Sequence, residues 1–418
     1  MHKENIKQLV PDKIFLKIGF NTSIQILGKI ISVAFGVFTV LLLTRYLGTG
    51  GYGSFTLAFT YVSFFAAFAD FGLQLAMVKE VSQKNHGKKE LGTFLLLKIG
   101  LVTLSTLLAS VLLFIFPYPY ETKIGILIAI IAVAISGISS FGNIIFQSRI
   151  RLDLITVIDL VTKIITVALI IFFVYLRLNY YFIVFSVLLG NLVGAVIIFI
   201  LIKDTVYFLY DFRLAKQILL VSLPIGISSF LALAYFKVDT IMLSVMKSSN
   251  EVGLYSIAYK ILENLLLLWG FYMASVYPLL AMLKGNNDEK KLINIIMSSF
   301  FIAMIASIPI VLIGLIFAPL IIDIFGGKNF HEAIPSLRIL LFSVPFLFIN
   351  NLFYNILIIY KRNASILVGM SLSLFVNIIL NLYFIPKSGF IGASYVTVAS
   401  AAFLSVYYFI RTMKLRFL

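Results

Sequence analysis

The chain of 418 residues contains no cysteine, a single tryptophan and three histidines. Without cysteine there is no disulfide frame, no thiolate zinc cluster and no thiol chemistry. His2, His86 and His331 fall in loops or the tail, far apart in sequence, so no metal or acid/base cluster forms from them. No G-x-x-x-x-G-K-[ST] loop occurs, which argues against direct nucleotide hydrolysis. Charge is also scarce, at 12% of residues against about a quarter in soluble domains. What fills the chain instead is apolar: 61% hydrophobic, 15% aromatic, with a mean hydropathy of +1.08. That composition describes an integral membrane protein. The formal charge of +16 is scattered in small groups between apolar runs rather than gathered on one face or arm, so it reads as a membrane orientation signal and not a nucleic-acid footprint. The first apolar run, GFNTSIQILGKIISVAFGVFTVLLL, is too long for a cleavable signal and lacks an A-x-A-like site after it, so it is expected to stay as a spanning helix.

Apolar runs of about 20 residues suffice to cross a hydrocarbon core of about 30 Å. Such runs lie near 20–45, 53–77, 91–116, 124–148, 154–176 and 180–202, then near 217–243, 254–283, 292–317, 334–360, 364–385 and 391–410. Basic residues test this count of twelve, because an error of one span would scramble their alternation. One side carries Lys3, Lys7, Lys13, Lys17, Lys79, Lys84, Lys88, Lys89, Arg149, Arg151, Lys203, Arg213, Lys216, Lys284, Lys290, Lys291, Lys361, Arg362, Arg411, Lys414 and Arg416. The other carries Arg45, Lys123, Arg177, Lys247, Lys328 and Lys387. The positive-inside rule then places both termini in the cytoplasm of a multi-pass protein of the cell membrane. All loops are short, so no soluble catalytic domain is expected on either face, and no cofactor.

The stretch GYGSFTLAF at 51–59 is echoed by EVGLYSIAY at 251–259: Gly53 matches Gly253, Phe55 Tyr255, Thr56 Ser256, Ala58 Ala258 and Phe59 Tyr259. FQSRIRL and IYKRNAS give a weaker echo after spans 4 and 10. Six spans per half is an even number, so the halves share one orientation and are related by an axis along the membrane normal. The expected fold is therefore all-α and polytopic, with twelve transmembrane helices in two pseudo-symmetric six-helix bundles around a central cavity. An N-terminal lobe covers 1–203, a cytoplasmic linker 204–216 and a C-terminal lobe 217–418. Pro224, Pro278, Pro309 and Pro345 fall in or near C-terminal spans, which concentrates bending in the second half.

Four segments carry a family resemblance in order: LLTRYLGTGGYGSFTLAFTYVSFFAAFADFGLQLAMVKEVS, VDTIMLSVMKSSNEVGLYSIAYKILE, IDIFGGKNFHEAIPSLRIL and NIILNLYFIPKSGFIGASYVTVAS. They resemble the polysaccharide-transport branch of the multidrug/oligosaccharidyl-lipid/polysaccharide exporter superfamily, the flippases of O-antigen-type repeat units. The resemblance implies a cavity open to one side at a time and a polyprenyl-diphosphate-linked oligosaccharide moved from the cytoplasmic to the outer leaflet. A monomer is expected, with membrane lipids and the pathway's glycosyltransferases or polymerase as partners.

Ionisable residues inside a span are costly and are functional candidates by default. Lys98, Lys163, Asp159 and Asp70 lie within about two turns of the cytoplasmic ends and are expected to snorkel, with Asp159 and Lys163 at i, i+4 for mutual pairing. Lys29 is deeper, about 13 Å in, on a span with no carboxylate. Lys237 and Asp239 are two residues apart, about 200° around a helix, so they cannot face the same way. Lys260 and Glu263, at i, i+3, can pair. The angles send Asp239 across to another helix, with Lys260 as the candidate partner, and leave Lys237 aimed either at an anionic cargo or out to the surface. A diphosphate crossing hydrocarbon needs fixed cations in place of its hydration. Lys29, Arg45, Lys237 and Lys260 are the expected phosphate contacts. Tyr46, Tyr52, Tyr235, Tyr255, Tyr259, Asn264 and Tyr272 are the expected sugar contacts, and Asp239, Glu263, Asp159 and Lys163 the structural charge pairs. Two other readings stay open: an ion-coupled multidrug antiporter of the same superfamily, and a membrane glycosyltransferase or polymerase.

Overall fold

A computed structural model describes residues 12–83 and 88–415. His2, Lys3, Lys7, Lys84, His86 and Arg416 lie outside the described residues. The described elements are helices: α1 (Asp12–Asp70), α2 (Leu73–Gln83), α3 (Lys88–Leu113), α4 (Tyr120–Ser148), α5 (Leu152–Tyr175), α6 (Tyr180–Leu201), α7 (Phe212–Met246), α8 (Ser249–Gly285), α9 (Glu289–Phe325), α10 (Ile334–Leu341), α11 (Val344–Ile359) and α12 (Asn363–Met413), with short 3-10 turns at Lys203–Thr205 and Lys328–Ala333. Among the described residues nine helices are long and apolar enough to cross a membrane, or ten if the bent pair Lys328–Leu341 and Val344–Ile359, angled at 46°, is one span.

Two of these helices are far longer than one crossing needs. The 59 residues of α1 include a non-helical Gly48 (φ 65°, ψ −170°). The 51 residues of α12 include Gly389 (φ 55°, ψ −136°). Positive φ at both points is a conformation open to glycine at little cost. At Gly389 space is short as well. The Glu251 carboxylate accepts the Phe390 N–H at 3.1 Å, and a Cβ built at 389 would meet Glu251 Oε2 at 1.9 Å. We expect Gly389→Ala to lower stability by about 2 kcal/mol, from unfavourable φ and a displaced cap. Thermal melting of the purified protein checks this; an unchanged midpoint would refute it. As expected from sequence, Pro224, Pro278 and Pro309 lie inside α7, α8 and α9, and Pro345 in the first turn of α11; Pro319 and Pro386 also lie within helices.

The chain packs as two compact units. The first takes residues up to Leu42 and Tyr61–Phe230, and the second takes Leu43–Thr60 and everything from Leu231. Packing thus divides the chain elsewhere than the 204–216 linker. The reasons are visible in each unit. In the first, Lys89 pairs with Asp211 at 3.0 Å and Thr93 Oγ1 accepts the Asp211 N–H at 2.8 Å, fastening the start of α7. The Lys89 ammonium hydrogen-bonded to it holds the Asp211 carboxyl below the usual carboxylate range. Further along, α1 ends in a kink at Phe71 (φ 41°) and Gly72 (φ 73°), where a Cβ on Gly72 would come within 2.8 Å of the Gly226 nitrogen and the Ser222 carbonyl oxygen. The apolar core beneath joins Leu73, Met77, Phe94, Phe141, Ile145 and Ile218.

In the second unit, residues 43–60 of α1 lie against α8 through the repeated glycines. A Cβ on Gly53 would meet the Ser249 carbonyl oxygen at 1.9 Å, and one on Gly253 the Thr49 carbonyl oxygen at 2.0 Å. Thr49 and Ser249, like Gly53 and Gly253, stand 200 residues apart, so the contact is reciprocal. Thr49 Oγ1 donates to Asn250 Oδ1 at 3.0 Å beside it, and the Thr44 hydroxyl donates to the Phe325 carbonyl at 2.7 Å.

Candidate functional site

In the second unit α7 and α8 bring together Lys237, Lys260 and Glu263. Lys260 and Glu263, one turn apart, pair at 3.0 Å as their spacing predicts. Lys237 does not aim elsewhere or reach for the surface: its ammonium is 2.6 Å from the other Glu263 oxygen and 5.5 Å from the centre of the Tyr259 ring. The spacing on α7 alone could not reveal this, because the partner lies on the next helix. One carboxylate therefore bridges two lysines, leaving a net positive cluster whose side chains are 27%, 28% and 42% exposed for Lys237, Glu263 and Lys260.

Asp239 behaves differently from the expected ion pair. It is 2% exposed, and its hydrogen-bond partners are the neutral Tyr255, Asn381 and Thr397 rather than Lys260. Asn381 donates to one oxygen at 2.6 Å; the Tyr255 and Thr397 hydroxyls lie 2.9 Å from the other. The two hydroxyls are also 2.9 Å from each other, and Thr397 lies 3.0 Å from the Ala393 carbonyl. These close oxygen pairs outnumber the two hydroxyl hydrogens available to bridge them. Beside them the Asn381 side-chain oxygen is buried without a partner, while its amide nitrogen also reaches Asn377 Oδ1 at 2.9 Å. A buried carboxylate with no cationic partner among the described residues and a surplus of facing oxygens calls for a proton or a small hard cation. The all-oxygen donor set, with one formal negative charge, fits a singly charged ion.

The expected sugar contacts divide by burial. Tyr255, 1% exposed, spends its hydroxyl on the Asp239 cage, and Tyr52, 4% exposed, packs edge-on against Phe330, so neither is an open platform for a sugar. Tyr259 is buried against Tyr255 and Lys237. Tyr46, Asn264 and Tyr272 are half-buried and Arg45 is exposed. Tyr272 hydrogen-bonds Ser299 at 2.9 Å and stacks on Trp269. Tyr235 lines a cavity of about 290 Å³ with Trp269, Asn350, Asn351, Tyr354 and Tyr408.

In the first unit Lys29 is exposed, and it shares the electrostatic environment of Asp159 with Lys163. The Lys163 ammonium contacts the Ser32 hydroxyl, a partner that its i, i+4 spacing from Asp159 did not suggest. Lys98 corrects a second expectation. It does not snorkel but is 2% exposed, held by Asp70 at 2.6 Å in the wall of a cavity of about 200 Å³. Asn377, Asn381 and Thr397 were not anticipated. Their signal was Asn at i and i+4 in the apolar run VNIILNLYF, one polar stripe on one helix face. Among the described residues no group of three or more His, Cys, Asp or Glu is placed to hold a metal.

Comparison with known proteins identifies the scaffold. Residues 18–284 match the family model described as polysaccharide biosynthesis protein, and residues 224–383 match the MatE model. Over 179 residues, 42% of this chain, the sequence is 31% identical to the uncharacterized membrane protein MJ1068 of Methanocaldococcus jannaschii, a match spanning 34% of that relative's length. Among solved structures, a multidrug resistance MATE family transporter in its inward-facing conformation superposes with a TM-score of 0.73 at 14% identity, covering 92% of this chain and 94% of that one. The lipid II flippase MurJ in an inward closed conformation gives a TM-score of 0.73 at 18% identity, covering 93% and 87%. A superfamily transporter from Pyrococcus furiosus gives 0.65 at 14%, covering 96% and 94%. These structures show a shared fold. With its family model matched over most of the chain, the protein belongs to the polysaccharide biosynthesis protein family.

Proposed function

We propose that this protein is a flippase that moves a polyprenyl-diphosphate-linked oligosaccharide from the cytoplasmic to the outer leaflet by alternating access. Twelve crossings form two six-helix lobes, 1–203 and 217–418, with both termini cytoplasmic in the cell membrane. In this count α1 and α12 each cross twice, turning at Gly48 and Gly389, and α10 with α11 makes one bent crossing. The protein works as a monomer beside the glycosyltransferases or polymerase of its pathway. The observation that carries this reading is the Lys237–Glu263–Lys260 cluster, in which two lysines share one acid. Excess positive charge on membrane helices is expensive unless an anion visits, and a diphosphate pays that electrostatic cost through charge-assisted hydrogen bonds. MurJ, described as a lipid II flippase, supports a lipid-linked cargo on this fold.

The Asp239 cage favours ion coupling, and it is the observation on which the antiporter reading would rest. It lies on α7, whereas the first apolar run, 20–45, offers Lys29 and no carboxylate. Coupling and an anionic cargo are compatible, so we assign the cage to the driving ion and the lysines to the cargo. Lys29→Ala is expected to abolish translocation of a fluorescent lipid-linked oligosaccharide in reconstituted vesicles while leaving membrane insertion intact. Full translocation by that variant would remove Lys29 from the cargo path.

A further inference from the structure

Glu263 already occupies the place that an anionic head group would take. Each of its oxygens serves a different lysine, at 2.6 Å from Lys237 and 3.0 Å from Lys260, so it bridges the two ammonium groups instead of chelating one. We propose that Glu263 is a specificity-determining residue: a built-in occupant of the anion site made by Lys237 and Lys260, setting the charge a cargo must bring to take its place. The inference rests on the flippase reading above.

Glu263 and a cargo compete for the same two ammonium groups. Glu263 is tethered to its own helix, so it reaches the lysines without the loss of translational freedom that a free ligand bears. A cargo whose lipid and sugar are joined by a single phosphate carries one negative charge, the same as the carboxylate it must displace. Its gain over Glu263 is small and its entropic cost is larger. A diphosphate linkage carries two charges and more non-bridging oxygens, enough to neutralise both ammonium groups at once. Glu263 has somewhere to go, since its side chain is 28% exposed and can rehydrate on release. Lys237 keeps a second support when the carboxylate leaves, from the Tyr259 ring 5.5 Å away. Glu263 thereby screens against singly charged lipid-linked sugars.

The test measures binding of two synthetic probes to the full-length protein in nanodiscs. Both carry the same sugar on the same short prenyl chain, one through a diphosphate and one through a monophosphate. Wild type is expected to prefer the diphosphate probe by about tenfold, and Glu263→Gln to gain about tenfold on the monophosphate probe so that the preference collapses. Glu263→Asp, which keeps the charge, should keep the preference. Lys237→Ala should weaken both probes. A Glu263→Gln protein that melts like wild type yet keeps the full preference, or loses both probes as Lys237→Ala does, overturns the proposal. Failure of wild type and Glu263→Gln alike to bind either probe would instead count against the flippase reading itself.

Discussion

Gly53→Val is expected to reduce translocation to background while the protein still inserts and accumulates. The first atom added at this position lands 1.9 Å from the Ser249 carbonyl oxygen and 2.8 Å from the Gly253 nitrogen, both of them backbone. Side chains can rotate away from an intruder; a helix backbone cannot. Overpacking in a yielding core costs about 1–3 kcal/mol, and here α1 and α8 would have to separate. The reciprocal Gly253→Val meets the Thr49 carbonyl oxygen at 2.0 Å and should behave the same way. Gly50 supplies the control. A Cβ there meets the Asn250 side-chain oxygen at 2.7 Å, a mobile group, so Gly50→Ala should keep most activity. The measurement is initial translocation rate in vesicles, normalised to inserted protein. Near-wild-type rates for Gly53→Val would show that this contact is not needed in the cycle.

That glycine contact also shows how far the sequence could be read. The match between GYGSFTLAF and EVGLYSIAY was visible as a repeat, because two related helices placed glycines in register. Sequence alone gave no sign that the repeats touch each other in the same packed unit, through which Thr49 and Ser249 each present a carbonyl to the other's glycine. The apolar helices were legible because hydrocarbon demands long unbroken runs. The non-helical breaks at Gly48 and Gly389 fall between the apolar runs that end at 45 and 385 and those that begin at 53 and 391. Packing was less legible than span order. Residues 43–60 join the second unit because close backbone contacts are made by glycines, which leave no hydropathy signature.

For the charges, local angles were informative and partners were not. The i, i+3 spacing of Lys260 and Glu263 placed that pair correctly, since both ends are on one helix. The 200° between Lys237 and Asp239 correctly separated them, but the neighbour each would meet was set by helix packing. Lys237 found Glu263. Asp239 found Asn381, Thr397 and Tyr255, residues whose polarity is too mild to stand out in an apolar run. Lys98 shows the same limit: depth suggested snorkelling, yet Asp70 near the end of a neighbouring helix holds it inside.

Asp239→Asn should separate coupling from folding. In the wild-type protein a carboxylate 2% exposed is surrounded by neutral donors and acceptors, so leaving it ionised and unaccompanied costs several kcal/mol. A proton or a bound cation removes that cost, and binding that favours the folded state raises stability by about 2.7 kcal/mol when the ion is at 100 times its dissociation constant. Wild type should therefore melt higher on titration with sodium at fixed pH, or on acidification in potassium if the occupant is a proton. Asparagine keeps the shape and one acceptor oxygen while removing the charge, so the variant should melt at or above the ion-free wild type and respond to neither titration. Translocation driven by an imposed ion gradient should fall to the ungraded rate, with probe binding at Lys237 and Lys260 preserved. A variant that melts far below wild type, alongside a wild type indifferent to sodium, potassium and pH, would make Asp239 a structural hydrogen-bonding residue. The distinction is sharp because the two roles predict opposite signs: a structural carboxylate loses stability when its charge is removed, whereas an ion-binding one loses only its dependence on the ion.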